Sequence, residues 1–234
     1  MRTQNIFGKR DSALVDVLVE NRHIKIERII AKGQVSPDGV VCEQPAFDAL
    51  ILLRGELTLE YENEAGKVSL KPGDVITTEP GQANRVDHTS RAGETVWVKF
   101  SFQGPLEEGG RPGPNLFERK DRRFKSIFPE TPAVLPLVET PDVRIDSIVT
   151  RGERSGKDVD LVQRDNGCLL LLKGQAVVSV GGEKGRMAPG DYVIIGPETE
   201  RSVEWTSPDE ETVWVVAGFS GELGKDRYPL FTGY

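Results

Sequence analysis

The sequence predicts an all-β protein in which one module of roughly 110 residues is repeated in tandem to form two β-barrels. The first observation is an exact repeat, because the pentapeptide ETVWV occurs at residues 94–98 and again at residues 211–215. The second is an alternation of apolar and polar residues with a period of two, which is typical of half-buried strands. The third is a Pro-Gly pair at matching places in the two copies, which predicts tight turns between strands.

The repeat extends well beyond the pentapeptide. The segment KPGD at residues 71–74 is matched by APGD at residues 188–191, and this pair, like the pentapeptides, is separated by 117 residues. Upstream the separation becomes 119 residues, as between Gly55 and Gly174. A two-residue difference in the hairpin that follows residue 61 explains the change, since turns tolerate length variation. We therefore interpret the chain as an internal duplication.

Each copy contains short segments with the composition of strands. Residues 57–61 and 96–102 alternate between apolar and polar side chains, which predicts strands with one face in a core. Residues 49–53, 169–172 and 192–195 are continuous apolar runs that end close to Gly or Pro-Gly. These runs are too short for buried helices, and many short strands separated by turn residues are typical of an antiparallel sandwich or barrel.

The domain boundaries follow from the composition between the copies. We expect an N-terminal barrel at residues 1–103, a Pro/Gly-rich linker with a short helix at residues 104–133, and a C-terminal barrel with a tail at residues 134–234. The first part of the linker, residues 104–114, is too rich in Gly and Pro for a helix or an interior strand. Only residues 115–125 have a helical pattern.

Composition excludes several classes of function. A formal charge of -7 over 234 residues argues against nucleic-acid binding, which needs a concentrated Lys/Arg surface. No apolar run approaches the ~20 residues of a membrane span, and the first residues lack the apolar core of a signal peptide. Cys42 and Cys168 form no CxxC motif, which fits a reducing compartment. We expect a cytoplasmic protein with no nucleic-acid partner and no membrane insertion.

Both copies run through one order of motifs. An apolar strand leads to Gly55 or Gly174, and a hairpin, the Pro-Gly-Asp turn, a Pro-containing turn and the Val-Trp-Val strand follow. In this order the chain resembles the cupin superfamily of double-stranded β-helix (jelly-roll) barrels, here as a bicupin. The resemblance covers most of residues 14–103 and 134–220. The first copy is similar to the sugar-sensing barrel of arabinose-type regulators, and the second is similar to small stand-alone cupins.

The resemblance also assigns ligand places, because cupins commonly hold a metal with three histidines and a glutamate. In the first copy these places are held by Cys42, Gln44, Asp48 and Asn84. Neither histidine of the chain, His23 or His88, occupies one of them. Divalent transition metals prefer imidazole, carboxylate or thiolate ligands. We therefore expect no resident cofactor, with a weakly held divalent metal on these four residues of the N-terminal barrel as an alternative.

In the second copy the ligand places are held by Leu161, Gln163, Gly167 and Arg201. None of these side chains suits a metal, and arginine carries only donors and is always protonated. An arginine at the mouth of an apolar barrel is costly without an anionic partner, and a guanidinium binds a carboxylate with two hydrogen bonds. Arg201 and Arg85 are therefore candidates for binding an anion.

Three functions are compatible with these residues. The first is a non-catalytic binding or sensing protein whose barrel holds a small molecule, such as an organic acid or a sugar derivative. Its candidate ligand-binding residues are Gln44, Asp48, Asn84, Arg85, Gln163 and Arg201. The alternatives are a metal-dependent cupin enzyme of the dioxygenase, isomerase or decarboxylase type with an atypical site in the first copy, and a structural bicupin. The sequence identifies no catalytic residue, and a homodimer stays open.

Overall fold

All regular elements in the described part of the chain are β-strands, which confirms the predicted all-β fold. The computed structural model describes residues 4–5, 15–38, 41–43, 45–62, 66–104, 112–115, 133–152, 154 and 165–223. No helix long and apolar enough to cross a membrane occurs within these ranges. The chain divides into two compact units, residues 9–121 and residues 122–234 together with the first eight. We call them the first and the second barrel.

The described residues form nineteen strands. In chain order they are β1 (Gln4–Asn5), β2 (Val15–Glu20), β3 (Ile24–Ala31), β4 (Cys42–Glu43), β5 (Phe47–Arg54), β6 (Leu57–Tyr61), β7 (Lys67–Leu70), β8 (Asp74–Thr78), β9 (Ala83–Thr89), β10 (Thr95–Phe102), β11 (Pro112–Asn115), β12 (Ala133–Glu139), β13 (Val143–Thr150), β14 (Asn166–Lys173), β15 (Ala176–Val180), β16 (Glu183–Met187), β17 (Asp191–Ile195), β18 (Arg201–Thr206) and β19 (Thr212–Phe219).

Each barrel consists of a large and a small antiparallel sheet. The large sheet of the first barrel has the order β11-β8-β5-β10-β3-β2, and its small sheet has the order β4-β9-β6-β7. The second barrel has a large sheet of order β1-β17-β14-β19-β13-β12 and a small sheet of order β16-β15-β18. Strands β8, β5, β10 and β3 of the first barrel thus occupy the same places as β17, β14, β19 and β13 of the second.

The two sheets of each barrel pack face to face around an apolar core. In the first barrel Leu52 and Trp97 of the large sheet share this core with Leu59 of the small sheet. In the second barrel Trp214 of the large sheet shares the core with Val178 of the small sheet. We call the interior enclosed by the two facing sheets the lumen of each barrel.

The predicted Pro-Gly turns are present in both barrels. Asp74 N donates to Lys71 O at 3.0 Å, and Gly73 has a φ of 93°, which suits glycine at the third position of such a turn. The carboxylate of Asp74 also accepts a hydrogen bond from Lys71 N at 2.8 Å. The same two bonds join Ala188 and Asp191, at 2.9 and 2.8 Å.

The segment between the copies is described at residues 112–115, which form β11. We expected a helix to begin at Asn115, but Asn115 is the last residue of β11, where it pairs with Asp74 at the edge of the large sheet. A proline-containing strand is tolerated at an edge because one side of it needs no ladder hydrogen bonds. The remainder of the expected helix, residues 116–125, lies outside the described residues.

Candidate functional site

Strand β10 carries polar side chains into the first lumen. Trp97 belongs to the core, and side chains two and four residues later on a strand point to the same face, so Lys99 and Ser101 also face the lumen. In the register of the large sheet, Lys99 lies opposite Glu27 on β3, and Ser101 lies opposite Asp48 on β5. Four polar residues from three adjacent strands therefore meet on the inner face of the barrel.

These residues form what we call the ion cluster, with Lys25 as its outermost member. Lys99 Nζ lies 3.2 Å from Glu27 Oε2 and 3.8 Å from Asp48 Oδ2. Ser101 Oγ donates a hydrogen bond to Asp48 Oδ1 at 2.5 Å, and Lys25 Nζ lies 2.7 Å from Glu27 Oε1. Glu27 and Asp48 are only 7% and 6% exposed. One ammonium group thus lies between two buried carboxylates.

The two carboxylates differ in their affinity for protons. Burial raises the pKa of Asp48, the proximity of Glu27 raises it further, and the charge of Lys99 and the Ser101 hydrogen bond only partly offset these effects. Burial would also raise the pKa of Glu27, but hydrogen bonds and charge attraction from Lys25 and Lys99 outweigh it, so that pKa is lowered. Glu27 is therefore a permanent anion at neutral pH, and Asp48 is the acid that takes up a proton more readily.

Hydroxyl groups continue the polar wall next to Asp48. Thr78 lies opposite Asp48 on β8, and its Oγ1 is 3.0 Å from the hydroxyl oxygen of Tyr61 on the small sheet. Burial raises the pKa of Tyr61, and the charge of Asp48 adds to the increase. Tyr61 therefore stays protonated and serves as a neutral hydrogen-bonding group.

Two other ligand places of the first copy lie on the small sheet. Asn84 is half-buried and lies opposite Tyr61 on β9. Cys42 is exposed on β4, where it pairs with Asn84. Gln44 lies outside the described residues. Of the four residues at the ligand places, Asp48 is the one that the structure places within the ion cluster.

Arg85 faces away from the first lumen. It lies opposite Glu60, which alternates with the core residue Tyr61 and therefore points to the outer face. The guanidinium of Arg85 is 2.5 Å from the Glu60 carboxylate, and this hydrogen bond and charge raise the pKa of Arg85. His88 is also exposed, with Nε2 3.7 Å from Glu56 Oε2. Arg85 is thus the partner of a surface carboxylate within its own sheet.

The donors that the structure describes in the first lumen are a poor set for a divalent metal. Within the described ranges, no three His, Cys, Asp or Glu side chains converge as a metal site. The carboxylates of Glu27 and Asp48 both face the ammonium of Lys99, so a cationic group of the chain already lies between them. A divalent ion would meet the repulsion of Lys99 and find too few charged ligands.

The second lumen lacks the ion cluster. In its register Asp146 lies opposite Val216, and these two residues occupy the places of Glu27 and Lys99. Gly167 lies between Gly218 and Ile195, and these three residues occupy the places of Asp48, Ser101 and Thr78, in that order. Val180 likewise occupies the place of Tyr61. Five of these six places have changed from polar to apolar or glycine. The acid at the Glu27 place is retained, and Arg144 at the place of Lys25 forms an ion pair with it.

Arg201 faces the second lumen, and one of its guanidinium nitrogens has no partner among the described residues. It lies opposite the buried Val180 and shares its strand face with Val203, which packs on the core. The side chain is half-buried, and its Nη1 atom is buried and donates to no acceptor in the described part of the chain. Burial lowers the pKa of Arg201, and no carboxylate offsets this effect. Arginine nevertheless stays charged, so the described part of the second lumen contains a cation with no counter-charge.

A second unpaired polar atom faces the same lumen. Asp146 shares its strand face with the core residue Ile148. Its Oδ2 accepts a hydrogen bond from Arg144 Nε at 2.7 Å, whereas its Oδ1 is buried and has no partner among the described residues. Gln163, the other candidate of this copy, lies outside the described residues. Within the described ranges, the second lumen thus has a buried donor without a partner on the small sheet and a buried acceptor without a partner on the large sheet.

Sequence reasoning missed the residues of the ion cluster other than Asp48. The alternation in β10 indicated that Lys99 and Ser101 belong to a solvent-facing side, but both faces of this strand are largely buried. A usable signal was present in the repeat, because Val216 and Gly218 stand at the matching places of β19. An exchange between lysine and valine at matched positions indicates a local change in what the two barrels enclose.

The sequence matches no family model and no curated protein. Solved structures do resemble it, beginning with a cupin 2 conserved barrel domain protein from Leptotrichia buccalis, which is 12% identical with a TM-score of 0.68 over 94% of this chain and 96% of that one. The chain has the cupin fold. The Ylba protein of E. coli is 12% identical to this chain, with a TM-score of 0.63 over 93% of this chain and 89% of that one. A salicylate 1,2-dioxygenase from Pseudaminobacter salicylatoxidans is 11% identical, with a TM-score of 0.63 over 84% of this chain and 71% of that one. Identities this low establish a shared fold only.

Proposed function

We propose that this cupin-fold protein binds a small organic anion in the lumen of its second barrel, with Arg201 as the residue that holds the anion. The observation that carries this proposal is the buried Nη1 atom of Arg201, which has no acceptor in the described part of the chain. Burying a guanidinium without a counter-charge costs several kcal/mol, and a carboxylate that accepts two hydrogen bonds removes most of that cost.

The free acceptor in the same lumen narrows the ligand class. Asp146 Oδ1 is buried without a donor, and a ligand hydroxyl would supply one. A small molecule that carries both a carboxylate and a hydroxyl would satisfy Arg201 and Asp146 together. We therefore propose a hydroxy acid as the ligand. The metal-dependent enzyme expected as an alternative gains no support from the described residues, because Lys99 lies between the two carboxylates of the first lumen.

The relationship of the two barrels belongs to the same proposal. Equivalent strand orders and equivalent registers support an origin by internal duplication, after which the two lumens diverged. The net charge of -7 supports a small-molecule ligand rather than a nucleic acid. Cys42 and Cys168 are both free thiols, which supports a reducing, cytoplasmic location.

A thermal-shift screen tests the proposed function. Lactate, malate, citrate and gluconate are added to the wild-type protein, to Arg201→Leu, and to the control Arg186→Leu, which removes an exposed arginine from β16 of the same barrel. At a concentration of about 100 times Kd, an acid that binds adds about 2.7 kcal/mol of stability. We expect at least one acid to raise the melting temperature of wild type and Arg186→Leu by several degrees and to leave Arg201→Leu unchanged. Equal shifts in all three proteins, or none in wild type, would overturn the proposal.

A further inference from the structure

A barrel of this fold forms without Asp48, Lys99 and Ser101 of the ion cluster. The second barrel forms the same sheets with Gly167, Val216 and Gly218 at the places of Asp48, Lys99 and Ser101. Buried ion pairs in general are no more stabilising than apolar residues of similar size, because the loss of hydration offsets the attraction between the charges. The polar residues of the first lumen therefore need a reason other than folding.

The charges of the ion cluster are balanced when Asp48 is ionised. With Asp48 ionised, it and Glu27 carry two negative charges, and Lys25 and Lys99 carry two positive charges within contact distance. A charged ligand would leave a net charge in a partly buried site, which is unfavourable at low dielectric constant. The first lumen therefore favours an uncharged ligand, in contrast to the second lumen, where Arg201 Nη1 has no partner in the described part of the chain.

Asp48 and Lys99 can each form further hydrogen bonds, and these determine which groups such a ligand needs. Asp48 Oδ2 is 3.8 Å from Lys99 Nζ, which is too long for a hydrogen bond, so this oxygen can accept one. Lys99 has three N–H donors, and its side chain is 21% exposed. A ligand oxygen that accepts from Lys99 beside a hydroxyl that donates to Asp48 satisfies both groups. The hydroxyls of Tyr61 and Thr78 extend the same wall.

We infer that the first lumen is a second, separate binding site, in which the Lys99 ammonium takes the role of a bound cation and, with Asp48, holds a small uncharged molecule that carries an oxygen acceptor next to a hydroxyl. Hydroxyketones and vicinal diols have this pattern. The inference is independent of the proposed function, since it concerns different residues in the other barrel and a ligand of different charge.

The test uses dihydroxyacetone and erythritol as probes, with ligand-observed NMR to detect weak binding. The double variant Asp48→Ala with Lys99→Val removes one negative and one positive charge. The valine at residue 99 reproduces Val216, which stands at the matching place in β19. Asp48→Asn with Lys99→Met is a second pair that keeps the side-chain volumes. Lys32→Met, which removes an exposed lysine just beyond β3, is the control.

We expect at least one probe to bind wild type, Lys32→Met and Arg201→Leu equally, and to bind both double variants at least tenfold more weakly. Far-UV circular dichroism verifies that the double variants are folded. Binding that is unchanged in the folded double variants, or absent for both probes in wild type, would overturn the inference. Loss of binding after treatment with a chelator, with recovery on adding a divalent metal, would overturn it as well, because Lys99 would then not be the cation of the site.

Discussion

At the scale of single residues, Arg85 and Arg201 were equal candidates for anion binding in the sequence but have different electrostatic environments in the structure. Arg85 forms an ion pair with Glu60 on the outer face of its sheet, whereas the buried Nη1 of Arg201 has no acceptor among the described residues. Adjacent strand residues point to opposite faces, so Asn84 and Arg85 cannot both face the lumen. At least one of the candidate ligand-binding residues from the sequence therefore had to point away from the lumen.

The ion cluster makes a stability prediction at the same scale. Lys99→Val leaves Asp48 buried without its nearest cation and Glu27 with Lys25 alone, so we expect a loss of about 3 kcal/mol in the free energy of unfolding at neutral pH. Adding Asp48→Ala removes the unpaired carboxylate, and we expect the double variant to return to within about 1 kcal/mol of wild type. Urea denaturation monitored by circular dichroism measures both values.

The alternative result has a clear meaning. A double variant that is at least as unstable as Lys99→Val alone would show that the ion cluster holds the first barrel together. In that case the comparison with Val216 and Gly218 of the second barrel would lose its force.

At the scale of elements, the turns and strand periods were predictable and the inward face was not. The Pro-Gly turns and the strand at residues 57–61 follow from local rules of backbone geometry and alternation, and the structure contains both. Alternation alone does not identify the buried face when both faces of a strand are covered, as they are in β10. The location of Lys99 and Ser101 depends on contacts between strands that are distant in sequence, which no local pattern contains.

Glycine at residue 174 makes a prediction at this scale. Gly174 has a φ of 82°, and a Cβ atom there would lie 2.6 Å from Thr212 Oγ1 and 2.7 Å from Glu211 O. Gly182 has a similar φ of 83°, but a Cβ atom on Gly182 would have no atom within 4 Å. Left-handed backbone costs a non-glycine residue about 1–3 kcal/mol, so both alanine variants lose stability.

We expect Gly174→Ala to lose at least about 1 kcal/mol more than Gly182→Ala, because it adds a steric clash to the same backbone strain. Thermal denaturation of the two variants measures the difference. Equal losses would show that the strand end at Gly174 moves away from Thr212 at little cost. Gly55 has the matching contacts with Thr95 and provides a repeat of the experiment in the first barrel.

At the scale of the whole molecule, one fold encloses two chemically different lumens. The first contains acidic, basic and hydroxyl groups in contact, and the second contains a buried guanidinium nitrogen, Arg201 Nη1, with no partner among the described residues. The cupin fold itself does not determine which small molecule a barrel binds, so the difference must come from the side chains at matched places. The sequence made the repeat visible, but only the registers of the sheets show which exchanges face inward.

The central claim is that the second lumen, and not the first, binds an organic anion, and calorimetric titration tests it most directly. The acid selected by the thermal-shift screen is titrated into wild type, Arg201→Leu and the double variant Asp48→Ala with Lys99→Val. We predict one bound anion per chain, with equal affinity, in wild type and in the double variant, and no measurable binding to Arg201→Leu. Anion binding that survives in Arg201→Leu, or that is lost from the folded double variant, would contradict the assignment of the anion to the second lumen.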